Sequence, residues 1–182
     1  MTRIGIIAMM AAILLTTPSR AATYDGTLDL TCFGKHHVYK HLPRFEDYPG
    51  ERSSKQRAKD IDWKSHRRAR SYHTRLSEGL REPPDFDGHY KVVTFGCGTG
   101  CQINWVIDQA NGRAVGEFET SFGVSYHKDS ALLIANPPDP ACDSYPPIDA
   151  VTFYTVKNDK LVTVKRLDIS KIWEKPNAGA QH

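Results

Sequence analysis

The sequence predicts an α+β domain: one N-terminal basic amphipathic helix on or beside a predominantly antiparallel β-sheet, a meander stapled by disulfides. Three observations predict it. Short, alternating segments rich in β-branched and aromatic residues follow one another from residue 90 onward, with tight turn signals between them. One stretch ahead of them has a helical period and stops at Pro83-Pro84. Four cysteines form an even set, two of them inside the glycine-dense turn Phe95-Gly96-Cys97-Gly98-Thr99-Gly100-Cys101-Gln102.

In chain order, residues 1–21 read as a signal peptide. Arg3 supplies the positive start, residues 4–15 are an uncharged apolar run, and Ser19-Arg20-Ala21 places small residues where a signal peptidase inspects the chain. Cleavage is expected after Ala21, the alternative being an uncleaved anchor. The run is short beside the roughly 20 residues a membrane span needs, and no later segment is as apolar. The expectation is a periplasmic or secreted chain with no membrane insertion once the signal is removed. Residues 22–176 then make a single domain, about 160 residues being enough for one core, and residues 177–182 a flexible tail. The formal charge of +3 falls to +1 when Arg3 and Arg20 leave, which makes no case for nucleic acid as a partner.

In an exported chain Cys32, Cys97, Cys101 and Cys142 read as disulfides with three possible connectivities. The expected one joins Cys97 to Cys101 and Cys32 to Cys142, the others remaining open. Residues 27–33 are strand-like, and His36, His37 and His41 follow. Imidazole is a good zinc or copper donor, but adjacent histidines in an extended segment point to opposite faces. An exposed, non-binding cluster is expected, with no metal and no cofactor.

Residues 51–82 are strongly basic. Ala69, Tyr72, Leu76 and Leu80 recur at helical spacing, with Asp62 or Ser65 as candidate N-caps and Gly79 near the end. Loop or frayed helix is expected before about residue 60. Arg67, Arg68, Arg70 and Arg75 could bind an anion, since guanidinium forks match anionic oxygens, or simply form a solvated face.

Strands are expected at residues 90–95, 101–108, 113–120, 130–135, 151–157 and 161–166. Gln109-Ala110-Asn111-Gly112 and Asn158-Asp159 supply hairpin turns, and neighbours joined so tightly must be antiparallel. A proline-rich loop at 139–147 holds Cys142.

The block Tyr72-His73-Thr74-Arg75-Leu76, then Pro84-Asp85-Phe86-Asp87-Gly88-His89-Tyr90, then Val93-Thr94-Phe95-Gly96-Cys97-Gly98-Thr99-Gly100-Cys101-Gln102, with Asp129-Ser130-Ala131-Leu132-Leu133-Ile134-Ala135-Asn136-Pro137, resembles a family of small exported bacterial proteins of uncharacterised function. The likeness spans about half of the chain after the leader and implies a common fold, with no activity to carry over. Asp85 and Asp87 stand where that pattern has asparagine and alanine, and Phe95 where tryptophan is common.

The candidate binding residues are Asp85, Asp87 and His89, with His127 and Asp129 arriving from later in the chain. A Cys–His nucleophile is disfavoured, because an oxidising compartment and a second thiol four residues away favour the disulfide. Asp108, Glu117 and Glu119 are further carboxylates, and nothing in the sequence says which two meet. Asp85-x-Asp87-Gly lacks the remaining ligands of a calcium loop and reads as a turn. Phosphate-loop, dinucleotide, serine-elbow and zinc-protease motifs are missing from the sequence. The sequence therefore points to a non-enzymatic binding or inhibitor-type module whose partner is an envelope protein or a cell-surface ligand. The competing expectation is a small metal- or carboxylate-dependent hydrolase with its site near His89, His127 and Asp87.

Overall fold

The computed structural model describes residues 24–29, 38–137 and 150–170. The leader, Cys32, Cys142, His36, His37, the proline-rich loop and the tail lie outside the described residues.

The strands are antiparallel throughout, but they form two principal sheets where one meander was expected. In the first, β3 (Tyr90–Gly98), β4 (Cys101–Asp108) and β5 (Ala114–Thr120) run in the order β3-β4-β5. In the second, β6 (Val124–Tyr126), β7 (Leu133–Ala135), β8 (Ala150–Lys157) and β9 (Lys160–Asp168) run in sequence order. A two-residue ladder joins β1 (Leu28–Asp29) to β2 (Val38–Tyr39). The turns act as their residues dictate: Gly112 (φ 80°), Asn158 (φ 51°) and Asp159 (φ 57°) occupy the left-handed region that tight hairpins need.

Alternation along the strands gives each sheet two packed faces. Val92, Val106 and Phe118 turn toward Leu133, Ala135 and Tyr154 of the second sheet. Trp105, Ile107 and Ala114 turn the other way, toward Leu76, Leu80 and Ile61. On the far face of the second sheet, Ile134, Val151 and Phe153 pack on Leu28 and Leu42. The order of layers is thus helix and basic loop, first sheet, second sheet, N-terminal segment. The two sheets approach closely at Gly116, where a Cβ would lie 2.6 Å from Leu161 Cβ.

The helix is shorter than its composition suggested. A 3-10 turn, Ala69–Tyr72, leads into α1 (His73–Arg81). Ala69, Tyr72, Leu76 and Leu80 share the buried face as their spacing requires, and burying Leu76 completely is worth about 2 kcal/mol. Neither Asp62 nor Ser65 caps α1. Asp62 instead caps a turn by accepting the N–H of Lys64, while Ser65 Oγ accepts the N–H of Ala114 on β5. At the other end, Gln109 Nε2 donates to the carbonyls of Gly79 (3.1 Å) and Glu82 (2.8 Å), meeting orphan acceptors that any helix terminus leaves. Of the loop or frayed helix expected before about residue 60, the chain takes the loop, and the irregular stretch runs on to residue 68. It is pinned by Ala58 N–H to Gln109 O and Asp62 N–H to Gly112 O, both 2.8 Å.

Candidate functional site

The turn before β3 is built by Phe86 and Tyr90, which exchange backbone hydrogen bonds (3.1 and 2.9 Å) around Asp87, Gly88 and His89. Asp87 (φ 42°) and Gly88 (φ 74°) make the bend. Gly88 has no room for a side chain, since a Cβ would sit 2.2 Å from Glu51 O. Its N–H donates to Lys128 O (2.7 Å) and that of Asp87 to His127 O (3.4 Å). The chain thus brings the 127–129 loop against the Asp85-to-His89 turn. The contact is made by backbone; the side chains of His127 and Asp129 are exposed. His127 stacks edge-on against Phe45, ring centres 4.2 Å apart.

His89 is 13% exposed and lies between two carboxylates: Nδ1 is 3.7 Å from Glu51 Oε2 and Nε2 is 3.6 Å from Asp108 Oδ1. Asp108 is itself committed to the β4–β5 turn, accepting the N–H of Ala110 (2.8 Å) and the Asn111 amide (2.6 Å). Asp87 is buried, and its Oδ1 accepts the Glu51 N–H at 2.7 Å. Burial raises its pKa, the repulsion of Glu51 adding to this while the Glu51 N–H and His89 oppose it.

Asp85 faces another way. Its Oδ2 accepts from Lys91 Nζ (2.7 Å) and the Tyr126 hydroxyl (3.2 Å), and its Oδ1 from the Val92 N–H (3.0 Å). Glu82 completes the set at 2.7 Å from Lys91 Nζ. The aspartates on this one turn therefore belong to two separate networks. Among the described residues, no three His, Cys, Asp or Glu side chains are placed to hold a metal ion together.

No family model, curated protein or solved structure matches this chain. The chemistry must be read from its own residues.

The four candidate anion-binding arginines differ in their partners. Arg68 pairs with Glu117 at 2.9 Å and donates to the Tyr72 hydroxyl, and Arg75 lies 3.6 Å from Glu78, while Arg67 and Arg70 are exposed. Cys97 and Cys101 are disulfide-bonded across the base of the β3–β4 turn, Cα atoms 5.1 Å apart, which rules out any pairing of either with Cys32 or Cys142. A Cβ on Gly96, Gly98 or Gly100 would meet nothing within 4 Å, so this hairpin tip projects clear of the body.

A second polar region went unrecognised in the sequence. Toward the disulfide end, the face of the first sheet that meets the second turns polar. Thr94 Oγ1 donates to Asn104 Oδ1 (2.7 Å), Asn104 Nδ2 donates to Thr120 Oγ1 (2.9 Å), and Thr120 Oγ1 donates to Gln102 Oε1 (3.3 Å). Opposite them stand Thr152, Tyr154 and Arg166. The available signal was Val92-x-Thr94 and Gln102-x-Asn104-x-Val106, where alternation continues but the inward residues stop being apolar.

Proposed function

We propose that this chain is an exported, periplasmic protein that acts by binding, as an inhibitor-type or ligand-binding module of the envelope, without catalysis. The observation that carries the reading is the engagement of His89: both ring nitrogens face carboxylates, and the Asp108 and Asp87 oxygens already serve the β4–β5 turn and the Glu51 N–H. A general base needs a free nitrogen or oxygen aimed at a substrate proton, and this cluster spends its atoms on joining loops to the sheet. The apolar leader and the Cys97–Cys101 bond support export. The partner is an envelope protein or a cell-surface ligand, in keeping with the resemblance to small exported proteins.

One observation favours the competing hydrolase reading. Asp87 is a buried carboxyl with a raised pKa beside His89, a combination found at catalytic sites. Metal analysis separates the binding reading from the metal-dependent one, and cell fractionation tests the export that both assume. Elemental analysis of the protein isolated from periplasm is expected to show no stoichiometric zinc or copper, and one metal per chain would sink the binding reading. Cell fractionation is expected to find the chain in the periplasm, shortened at Ala21.

A further inference from the structure

We infer that the outer face formed by residues 51–82 is a docking surface for a linear acidic polysaccharide, recognised through its charge, with the cavity between residues 57–60 and α1 as its anchor. This inference rests on the binding reading and gives it a surface and a partner class.

Charge in this chain is segregated. Residues 51–82 hold ten Lys and Arg against five Asp and Glu, whereas the rest of the chain beyond the leader holds twelve against sixteen. A net charge of +5 is thus gathered into the outer layer that α1 and the loop before it build, over a remainder of −4. Such a split gives a nearly neutral protein a one-sided field.

The fold sharpens the split by turning the acids of this layer toward cations elsewhere. Glu51 faces His89, Glu82 lies 2.7 Å from Lys91 on β3, and Asp62 lies 3.9 Å from Arg113. Asp60 Oδ1 accepts the Ile61 N–H at 2.7 Å, and Glu78 meets Arg75. Arg68 is answered from β5 by Glu117. The other eight Lys and Arg of the layer are exposed and, among the described residues, have no carboxylate within salt-bridge distance. A merely solvated face needs no such sorting, since charges of both signs interspersed keep a surface soluble.

Three of the eight converge. Arg57, Lys59 and Arg81 line a cavity of about 310 Å³ in which Asp60 is the one acid, and Ser77 adds a hydroxyl. The loop wall of this cavity is fixed before any ligand arrives. Ala58 N–H donates to Gln109 O (2.8 Å), Arg57 donates to Glu82 O (3.2 Å), and Gly112 packs so closely that a Cβ there would lie 2.2 Å from Asp60 O. Binding therefore does not have to order the backbone that carries the cations.

Charge multiplicity selects a polymer. A single exposed ion pair is weak, so a small anion gains little here, whereas a chain with a charge on successive units engages many cations at once and releases its condensed counterions. A face that adsorbs to a membrane combines its cations with apolar side chains that insert. Among the described residues the one exposed large hydrophobic is Val38, on β2 in the opposite outer layer. Single-stranded nucleic acid calls for open aromatic faces on which its bases stack. Here Trp63 is already stacked on His73, ring centres 4.8 Å apart, and Tyr72 packs against Phe95 and Trp105. Charge with neither insertion nor stacking suits sugars that bear sulfate or carboxylate, whose oxygens match guanidinium forks.

The test is a titration of the disulfide-intact protein, followed by fluorescence anisotropy and NMR, with heparin, uncharged dextran, single-stranded DNA and phosphatidylglycerol vesicles as probes. Heparin is expected to bind, to shift amide signals within residues 57–60 and 77–81, and to lose about tenfold or more in affinity between about 50 and about 200 mM salt. The triple variant Arg57→Ser, Lys59→Ser, Arg81→Ser should lose about tenfold in affinity and show a flatter salt dependence. Arg67→Ser with Arg70→Ser should lose several-fold. Lys157→Ser with Lys160→Ser, an exposed pair at the β8–β9 turn, should bind as wild type does. No heparin binding, equal binding of dextran, DNA or vesicles bound as tightly as heparin, or an equal loss in the Lys157 and Lys160 variant would each overturn the surface. If the triple variant fails to fold, the Arg67 and Arg70 variant decides. The two readings fail separately: no binding removes the basic face and leaves the non-catalytic reading, whereas binding followed by cleavage of the heparin chain keeps the face and removes that reading.

Discussion

The buried Asp87 carboxylate accepts the backbone N–H of Glu51 at 2.7 Å, tying the turn that starts the first sheet to a loop 36 residues upstream. Burial lifts this carboxyl above its ordinary pKa of 3.8. An acid with a raised folded pKa holds more protons folded than unfolded, so its contribution is complete below 3.8 and is lost as the pH rises through the folded value. Asp87→Asn keeps an acceptor for the Glu51 N–H, suits φ 42° and cannot ionise. It should be at least as stable as wild type at about pH 7, with the difference closing toward about pH 4. Asp87→Ala should lose about 1–3 kcal/mol, because it strands the Glu51 N–H. Urea melts at both pH values test this; an asparagine variant destabilised at about pH 7 but not at about pH 4 would show that the charge itself is required.

The second network predicts the same direction of pH dependence in a far more alkaline window. Burial pulls the Lys91 pKa down, but its bonds to Asp85 and Glu82 more than offset this and leave it raised above 10.5. For a cation with a raised folded pKa, the contribution is full below 10.5 and is lost as pH climbs through the folded value. Lys91→Met should cost about 3 kcal/mol, since Asp85 is left without its counter-charge. Adding Asp85→Asn should recover part of that loss, and guanidinium melts of the three variants would show no recovery if the two residues act independently. The Tyr126 phenol, pushed up to about 12 by burial and then by Asp85, should titrate at lower pH once Asp85 is neutral.

Much of the fold was legible because its signals are local. Asn158-Asp159 and the Asn111-Gly112 pair turned where their backbones allow, and Ala69, Tyr72, Leu76 and Leu80 shared a face by spacing alone. The split into two sheets was not legible, because β5 and β6 are joined by a short link around Gly123 that could equally have closed a hairpin. The three-residue β6 carries no alternation to recognise. In the site, Asp85, Asp87 and His89 were legible as a group through their closeness in sequence. Glu51 was hidden in a basic loop, and Arg166 revealed itself only through register with Thr152.

Gly79 sits inside α1, where alanine would ordinarily favour the helix by about 1 kcal/mol. A Cβ there would lie 2.3 Å from Val93 Cγ2, on a β-branched side chain with little freedom to move aside. The clash is expected to win, with Gly79→Ala less stable by about 1–3 kcal/mol. In the Val93→Ala background the same change should become neutral or stabilising. Thermal melts showing Gly79→Ala stabilising in both backgrounds would mean that the helix can lift from β3 at no cost.

The Cys97–Cys101 bond closes only the tip of the β3–β4 hairpin, and a Cβ on any of the glycines around it would meet nothing within 4 Å. Loop-closure entropy for so short a span gives about 2 kcal/mol at most. The double variant Cys97→Ser, Cys101→Ser should therefore fold, with a lower midpoint and an unchanged near-ultraviolet signal from Trp105, which is wholly buried on the strand away from the tip. Gly100→Ala should cost about 1 kcal/mol for its φ of +66°, without any clash. If the serine variant instead loses the Trp105 signal, the staple organises the sheet rather than its edge.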